Sequence, residues 1–346
     1  MKFLLSAVAA CALLGASAAS AEPLRVVATM PILADMTRNV AGDRANVTSL
    51  VGETGDPHVF RPAPRDAQSI AEADLLVVNG LQLEGWIDRL KDSSGYEGPV
   101  VVATANVEPI PADSDGHDAH SDEHAHEHEA HADEHEHDAD EHGHEEHAEH
   151  AHEAEAHADH AEDHGHHHGA FDPHAWHSLE NGALYAAVIA DGLISLDPEG
   201  ADIYRANLAR YVARMEALHE EIAATFAQVP DRNRLIVTNH DAFAYFGRDY
   251  GLRFEAPVGL STDAEPSATD MARIITEIRA DGVKAVFLEA GSDPRLSRQI
   301  AAETDARIGG TLYAGTLSGP DGPASSYLAM MAHNAQTIAA EIGPHS

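Results

Sequence analysis

The chain has 346 residues, a formal net charge of −37 and a single cysteine, Cys11. That length suits two α/β lobes or one large domain, and an acid excess of this size is unsuited to a phosphate-backbone partner, so no nucleic acid is expected. One cysteine leaves neither a disulfide nor a thiolate zinc site.

Residues 1–21 read as a secretory signal peptide. Lys2 precedes an apolar stretch over 3–14, and small residues end in Ala19-Ser20-Ala21, with cleavage expected after Ala21. Val8-Ala9-Ala10-Cys11 loosely matches a lipoprotein box, but the apolar run before Cys11 is short and a better small-x-small site follows, so lipid anchoring through Cys11 is disfavoured. No later segment reads as apolar for long enough to cross a bilayer, and the mature protein is expected to be soluble outside the cytoplasm.

Short β-branched runs then recur: LRVVAT (24–29), VTSLV (47–51), LLVVNG (75–80) and VVVAT (100–104). Unbroken apolar runs of this length suit strands buried on both faces of a parallel sheet, and PILADMTRNVAG and RDAQSIAEAD between them have helical character. Residues 112–170 are a different material: they hold 19 of the 26 histidines and no aliphatic side chain larger than Ala. With 21 Asp and Glu over 113–163, this segment accounts for much of the net charge and leaves about −16 for the rest. It lacks the apolar surface to offset its ordering entropy, so the sequence predicts a disordered loop inserted in the first lobe.

After Pro198 about thirty residues run without an internal proline, with Tyr204, Leu208, Tyr211, Met215, Leu218 and Ile222 at three-to-four-residue spacing. This predicts a long amphipathic helix. LIVTNH (235–240), KAVFLE (284–289) and GGTLY (309–313) follow as a second set of strands, with ATDMARIITEIRADG as a helix among them. The predicted fold class is α/β: two lobes of parallel sheet flanked by helices, joined by a long rigid interlobe helix. The expected boundaries are 22–195 for the first lobe (with the loop at 112–170), 196–229 for the connecting helix and 230–346 for the second lobe.

Seven histidines lie outside the insert, and three have a distinctive setting. His58 lies in GDPHVFRP after the second strand, His174 in FDPHAWHS after the insert, and His240 ends LIVTNH. Ligands of open parallel sheets collect at the carboxyl ends of strands, and the prolines beside His58 and His174 restrict the backbone that presents them. Three converging imidazoles from separate segments suit a half-closed zinc site. By contrast, His177 is expected at the rim or facing solvent and His219 on a polar helix face. Trp86, Trp176, Phe243, Tyr245 and Phe246 are expected to pack as core.

GDPHVFRP, NGLQLEGWIDRL, FDPHAWHSLEN, TNHDAFAYF, STDAEPSATDMARIITEIRADGVKAVFLE and SGPDGPASSYLAMMAHN follow one another in an order that resembles the periplasmic zinc/manganese-binding proteins of ABC transporters, the ZnuA-like group. The resemblance implies two α/β lobes joined by a long helix with the metal between them, and ligands at His58, His174 and His240. It also implies a periplasmic monomer that serves a membrane permease with a separate ATPase subunit and has no catalytic duty. Zn2+ is the expected cargo rather than Mn2+, because a third imidazole at a position where manganese members carry a carboxylate suits a borderline-soft ion.

The fourth position departs from the pattern, since Gly315 stands where many members have Asp. Water is the first candidate there, Glu289 the second, as fourth ligand or as support behind one, and a loop histidine the third. Asp56 and His177 rank below them. The insert offers many imidazoles without fixed geometry and is expected to act as accessory zinc capture or sensing. The other readings are a manganese-binding member of the same group, a periplasmic zinc buffer or chaperone, and a zinc enzyme. The last is disfavoured because Glu289 is the sole evident general base and a site between lobes lacks room for an organic substrate.

Overall fold

A computed structural model describes residues 22–112, 169–263 and 265–343. The expected signal peptide at 1–21, and all but the outermost residues of the expected loop, lie outside the described residues.

In the first lobe, strands β1 (Leu24–Ala28), β2 (Ala45–Ser49), β3 (Leu75–Val78) and β4 (Val100–Val102) form a parallel sheet in the order β2-β1-β3-β4. The Leu-Leu-Val-Val run of β3 is buried along its whole length, whereas β2 at the edge alternates between half-buried and exposed positions. Helices α1 (Pro31–Ala41) and α2 (Pro64–Ala71) each begin with a proline, whose fixed φ and missing N–H suit the first helical turn. Helix α3 (Ile87–Ser94) ends at Gly95, in the left-handed conformation that glycine adopts without a Cβ penalty.

Helix α4 (Leu179–Leu196) packs against β3, β4 and α1. By length and composition it could cross a membrane, contrary to the expectation that no later segment qualifies. Here Tyr185, Ile189 and Leu193 bury its apolar face in the core instead.

The connecting helix α5 (Ala201–Phe226) has 26 residues, roughly 39 Å. It starts later than the sequence suggests because Pro198–Gly200 form a 3₁₀ turn, with the Asp197 carboxylate accepting from the Gly200 amide. Asp197 also accepts from Arg44 and from the Tyr204 hydroxyl, tying the α4–α5 corner to the end of α1. Tyr204, Tyr211, Met215 and Ile222 are buried as their spacing predicts, and Leu208 and Leu218 are partly buried against the same core.

In the second lobe, β5 (Leu235–Val237), β6 (Arg253–Glu255), β7 (Ala285–Glu289) and β8 (Arg307–Leu312) repeat the topology in the order β6-β5-β7-β8, again all parallel. Helices α6 (Ala244–Tyr250), α7 (Ala268–Asp281), α8 (Arg295–Glu303) and α9 (Tyr327–Ile342) complete it. Strand β6 has no signature in the sequence because Arg-Phe-Glu is short, charged and at an edge, with no apolar run to mark it.

One apolar cluster runs through both lobes, and α5 contacts α1 and α4 on one side and α6 and α9 on the other. A smaller cluster under α7 and α8 contains Val237, Ile274, Ile278, Val286 and Ile300. The lobes are therefore joined by a shared interior as well as by a single helix.

Candidate metal centre

The repeated Asp-Pro-His has a local explanation. Asp56 accepts the His58 amide at 2.9 Å and Asp172 accepts the His174 amide at 2.8 Å. Each aspartate thus folds its segment into a side-chain-closed turn with proline in the middle. The two turns bring His58 and His174 together, with their Nε2 atoms 3.0 Å apart. His240 lies three residues beyond β5 and is held there by a bridge to Val258. Its ring centroid is 5.8 Å from that of His58 and 5.3 Å from that of His174.

One ligand atom from each of the three lies within 4.8 Å of the others. Among the described residues this is the sole such group of three or more His, Cys, Asp or Glu. His174 and His240 are buried and His58 is half-buried. The cavity they line has a volume of about 20 Å3, room for an ion or a water and far below the roughly 300 Å3 of an organic-ligand pocket.

Carboxylates hold two rings from behind. His174 Nδ1 lies 2.7 Å from Asp172 Oδ1, and His240 Nδ1 lies 2.5 Å from Glu289 Oε2. Glu289 Oε1 accepts the amides of Asn239 and His240 at 2.8 and 3.0 Å. Both oxygens of Glu289 are thus engaged behind His240, across the junction of β5 and β7 where the chain reverses its order of strand addition. An imidazole held at Nδ1 presents Nε2 with a fixed direction.

The protonation states follow from burial and charge. Burial first, and the neighbouring His174 next, push His58 down to about 3. Burial also holds His174 well below the ordinary imidazole range and raises Asp172 to about 7. For His240 burial acts downward, but the opposing charge and hydrogen bond of Glu289 carry its pKa above the ordinary value.

Residues distant in the chain from the histidines add support. Asn79 Nδ2 donates to the Pro173 carbonyl at 2.9 Å, and Tyr185 donates to Asn79 Oδ1 at 2.8 Å. Behind them the buried Glu84 accepts the Asn79 amide and the Thr29 hydroxyl. Trp86 donates from Nε1 to the Pro57 carbonyl at 2.8 Å, which anchors the His58 turn to its own lobe. Gly315 lines the cavity, and a Cβ added there would stand 3.2 Å from the Pro57 ring, so the missing side chain lets the two lobes approach closely.

His177 departs from expectation. It is completely buried, its ring 4.4 Å from that of Phe243 and 5.6 Å from that of Trp176. Both of these rings pack against it, and neither of its ring nitrogens makes a well-formed hydrogen bond. Burial first, and the neighbouring His174 next, hold its pKa well below the ordinary imidazole range, with the Ala314 backbone acting the other way. His219 is half-exposed on α5 beside Tyr250, and His333 is bonded to the Thr311 carbonyl. Trp86, Trp176, Phe243, Tyr245 and Phe246 are buried core residues, as read from the sequence.

At the base of the insert, the Ala112 amide donates to the Ala170 carbonyl at 3.0 Å and the Asp172 amide to the Ile110 carbonyl at 2.9 Å. Pro111 and Phe171 form the accompanying antiparallel bridge.

Comparison with known proteins agrees with this architecture. Residues 26–341 match the family described as zinc-uptake complex component A, periplasmic (ZnuA). The iron ABC transporter substrate-binding lipoprotein MtsA of Streptococcus pyogenes serotype M1 is 29% identical over 333 residues, covering 95% of this chain and 92% of that protein. The Mn-bound periplasmic metal-binding protein from Candidatus Liberibacter asiaticus superposes with a TM-score of 0.70 at 25% identity, covering 92% of this chain and 98% of that one. The periplasmic zinc-binding protein TroA from Treponema pallidum shares the fold, with a TM-score of 0.72 at 22% identity over 93% of this chain and all of that one. The protein belongs to the ZnuA family of metal-binding, substrate-binding components of ABC transporters.

Proposed function

We propose that this protein is exported to the periplasm, captures Zn2+ through His58, His174 and His240, and delivers it to a membrane permease driven by a separate ATPase. The convergence of the three imidazoles on one ion-sized cavity carries the reading. Zinc is favoured over manganese by the donor set. Both oxygens of Glu289 are engaged behind His240, and Gly315 has no side chain to offer, so nitrogen dominates the inner shell. A borderline-soft ion suits such a shell better than hard Mn2+. Water fits the open fourth position, and Glu289 then serves as the carboxylate that orients His240.

Relatives named for iron, manganese and zinc make the choice of metal the first thing to test. The insert rejoins the chain shortly before His174 and acts as accessory capture. The decisive experiment is competition with a chromogenic chelator for the mature protein, a form lacking 113–168, and that form carrying His58→Ala, each with Zn2+ and Mn2+. One tight zinc site should survive loop deletion, disappear with His58→Ala and exceed manganese in affinity. Tight binding that leaves with the loop would assign the protein to zinc buffering, and a preference for Mn2+ would overturn the metal assignment.

A further inference from the structure

Asp56 does more than close the turn before His58. Its Oδ1 accepts the His58 amide at 2.9 Å, while its Oδ2 accepts the hydroxyl of Thr262, from the opposite lobe, at 2.6 Å. A second contact runs the same way, from the Thr316 hydroxyl to the Glu53 carbonyl. The segment 52–58 is thus fastened to the second lobe through two threonines, and one of those bonds passes directly to the backbone of a candidate ligand.

The three imidazoles are not held equally. His174 and His240 are buried, with Nδ1 of each against a carboxylate of its own lobe. His58 is the half-buried member, and its segment contains Gly52, Gly55 and an exposed stretch at 52–54. Moving this segment leaves the carboxylate bonds behind the other two rings in place. Trp86 holds Pro57 from within the first lobe, whereas the two threonine bonds tie the segment to the opposite lobe.

We propose that Asp56 and Thr262 form an interlobe clasp that sets how fast metal leaves the site. Asp56 lines the cavity, but both of its oxygens are engaged by the His58 amide and the Thr262 hydroxyl, so it acts as a positioning residue with Thr262 as its partner. This inference rests on the three-histidine reading above. A hydrogen bond to a carboxylate is among the stronger neutral-donor contacts, so its loss should accelerate release about ten-fold or more.

The test uses the full chain loaded with one equivalent of Zn2+, which fills the tight site ahead of the insert, and stopped-flow release into excess chelator. Thr262→Val, nearly isosteric, should raise the dissociation rate about ten-fold with one zinc still bound and the association rate little changed, while Thr262→Ser should release as the wild type does. In the metal-free protein, hydrogen exchange at the His58 amide should be faster in Thr262→Val than in the wild type. Unchanged release and exchange in Thr262→Val overturn the clasp, as does equally fast release from Thr262→Ser. His58→Ala in the form lacking 113–168 separates the two ideas: if it binds zinc as tightly as that form without the substitution, the three-histidine reading itself fails, whereas if it loses the tight site and Thr262→Val behaves as wild type, only the clasp fails.

Discussion

Proton competition at the site is set residue by residue. Three ordinary imidazoles would all be protonated well below pH 6.5, and metal affinity would then fall about a thousand-fold per pH unit. Burial keeps His58 and His174 neutral into acid, so neither adds a competing proton in that range. His240, raised by Glu289, carries one, and Asp172, raised to about 7 by burial, yields a second when His174 must donate from Nδ1. Between pH 5 and 6.5 the logarithm of the association constant for the loop-deleted protein should therefore rise with pH at a slope between one and two. A slope approaching three near pH 5, measured by chelator competition, would show that the rings titrate freely. His177 gives a second expectation. A buried polar group without a well-formed hydrogen bond costs about 1–3 kcal/mol, partly offset by the ring's contact with Phe243. His177→Leu should raise the melting temperature by about 2–4 °C and leave zinc stoichiometry unchanged; a loss of bound zinc would give His177 a role at the site.

How far the site could be read in advance follows from range along the chain. Asp-Pro-His marks His58 and His174 as candidates because aspartate, proline and histidine act within one short turn. His240 is a candidate from its place beyond a strand. Thr262 stands 206 residues from Asp56, and Asn79 stands 94 from Pro173, so nothing local marks either as a partner. His177 was misplaced for the same reason: its own polarity suggests solvent, and only the packing of Phe243 against it decides otherwise.

Among the elements, α5 bears most on the relation between the lobes. Its buried stripe serves both sides, so a cavity there should loosen the whole molecule rather than one half. Met215 is 1% exposed, and Met215→Ala should cost about 2–5 kcal/mol, read as one cooperative shift in a urea melt of the metal-free, loop-deleted protein. Two separated transitions would mean that the lobes unfold independently. The helix itself was legible from its periodicity, which depends on nothing beyond its own residues. Its first turn was not, because the start depends on Asp197 capping a 3₁₀ turn and on Arg44 reaching that carboxylate from 153 residues away. The strands divide likewise: β3 is a continuous apolar run, whereas β6 exists because β5 offers it an edge.

At the scale of the molecule, polar contacts join the lobes alongside the common core. Trp176 donates to the Ala314 carbonyl, Tyr245 to the Asp172 carbonyl, and the Tyr327 amide to Asp35, at 2.8, 2.9 and 2.9 Å. A wide hinge motion would break all of these together. Small-angle scattering of the loop-deleted protein should therefore give the same radius of gyration with and without zinc, and a clear contraction on loading would show that the lobes close as rigid bodies about α5.

The pinned base of the insert, where Ala112 meets Ala170, has a consequence for the chain as a covalent object. A single backbone cut within 113–168 leaves one fragment with β1–β4 and His58, and another with α4–α9, His174 and His240. Neither fragment alone has the three imidazoles, yet α4 packs on the sheet supplied by the other. The protein is in this sense a natural split pair, and recovery of metal binding would report that two separately made halves had found each other.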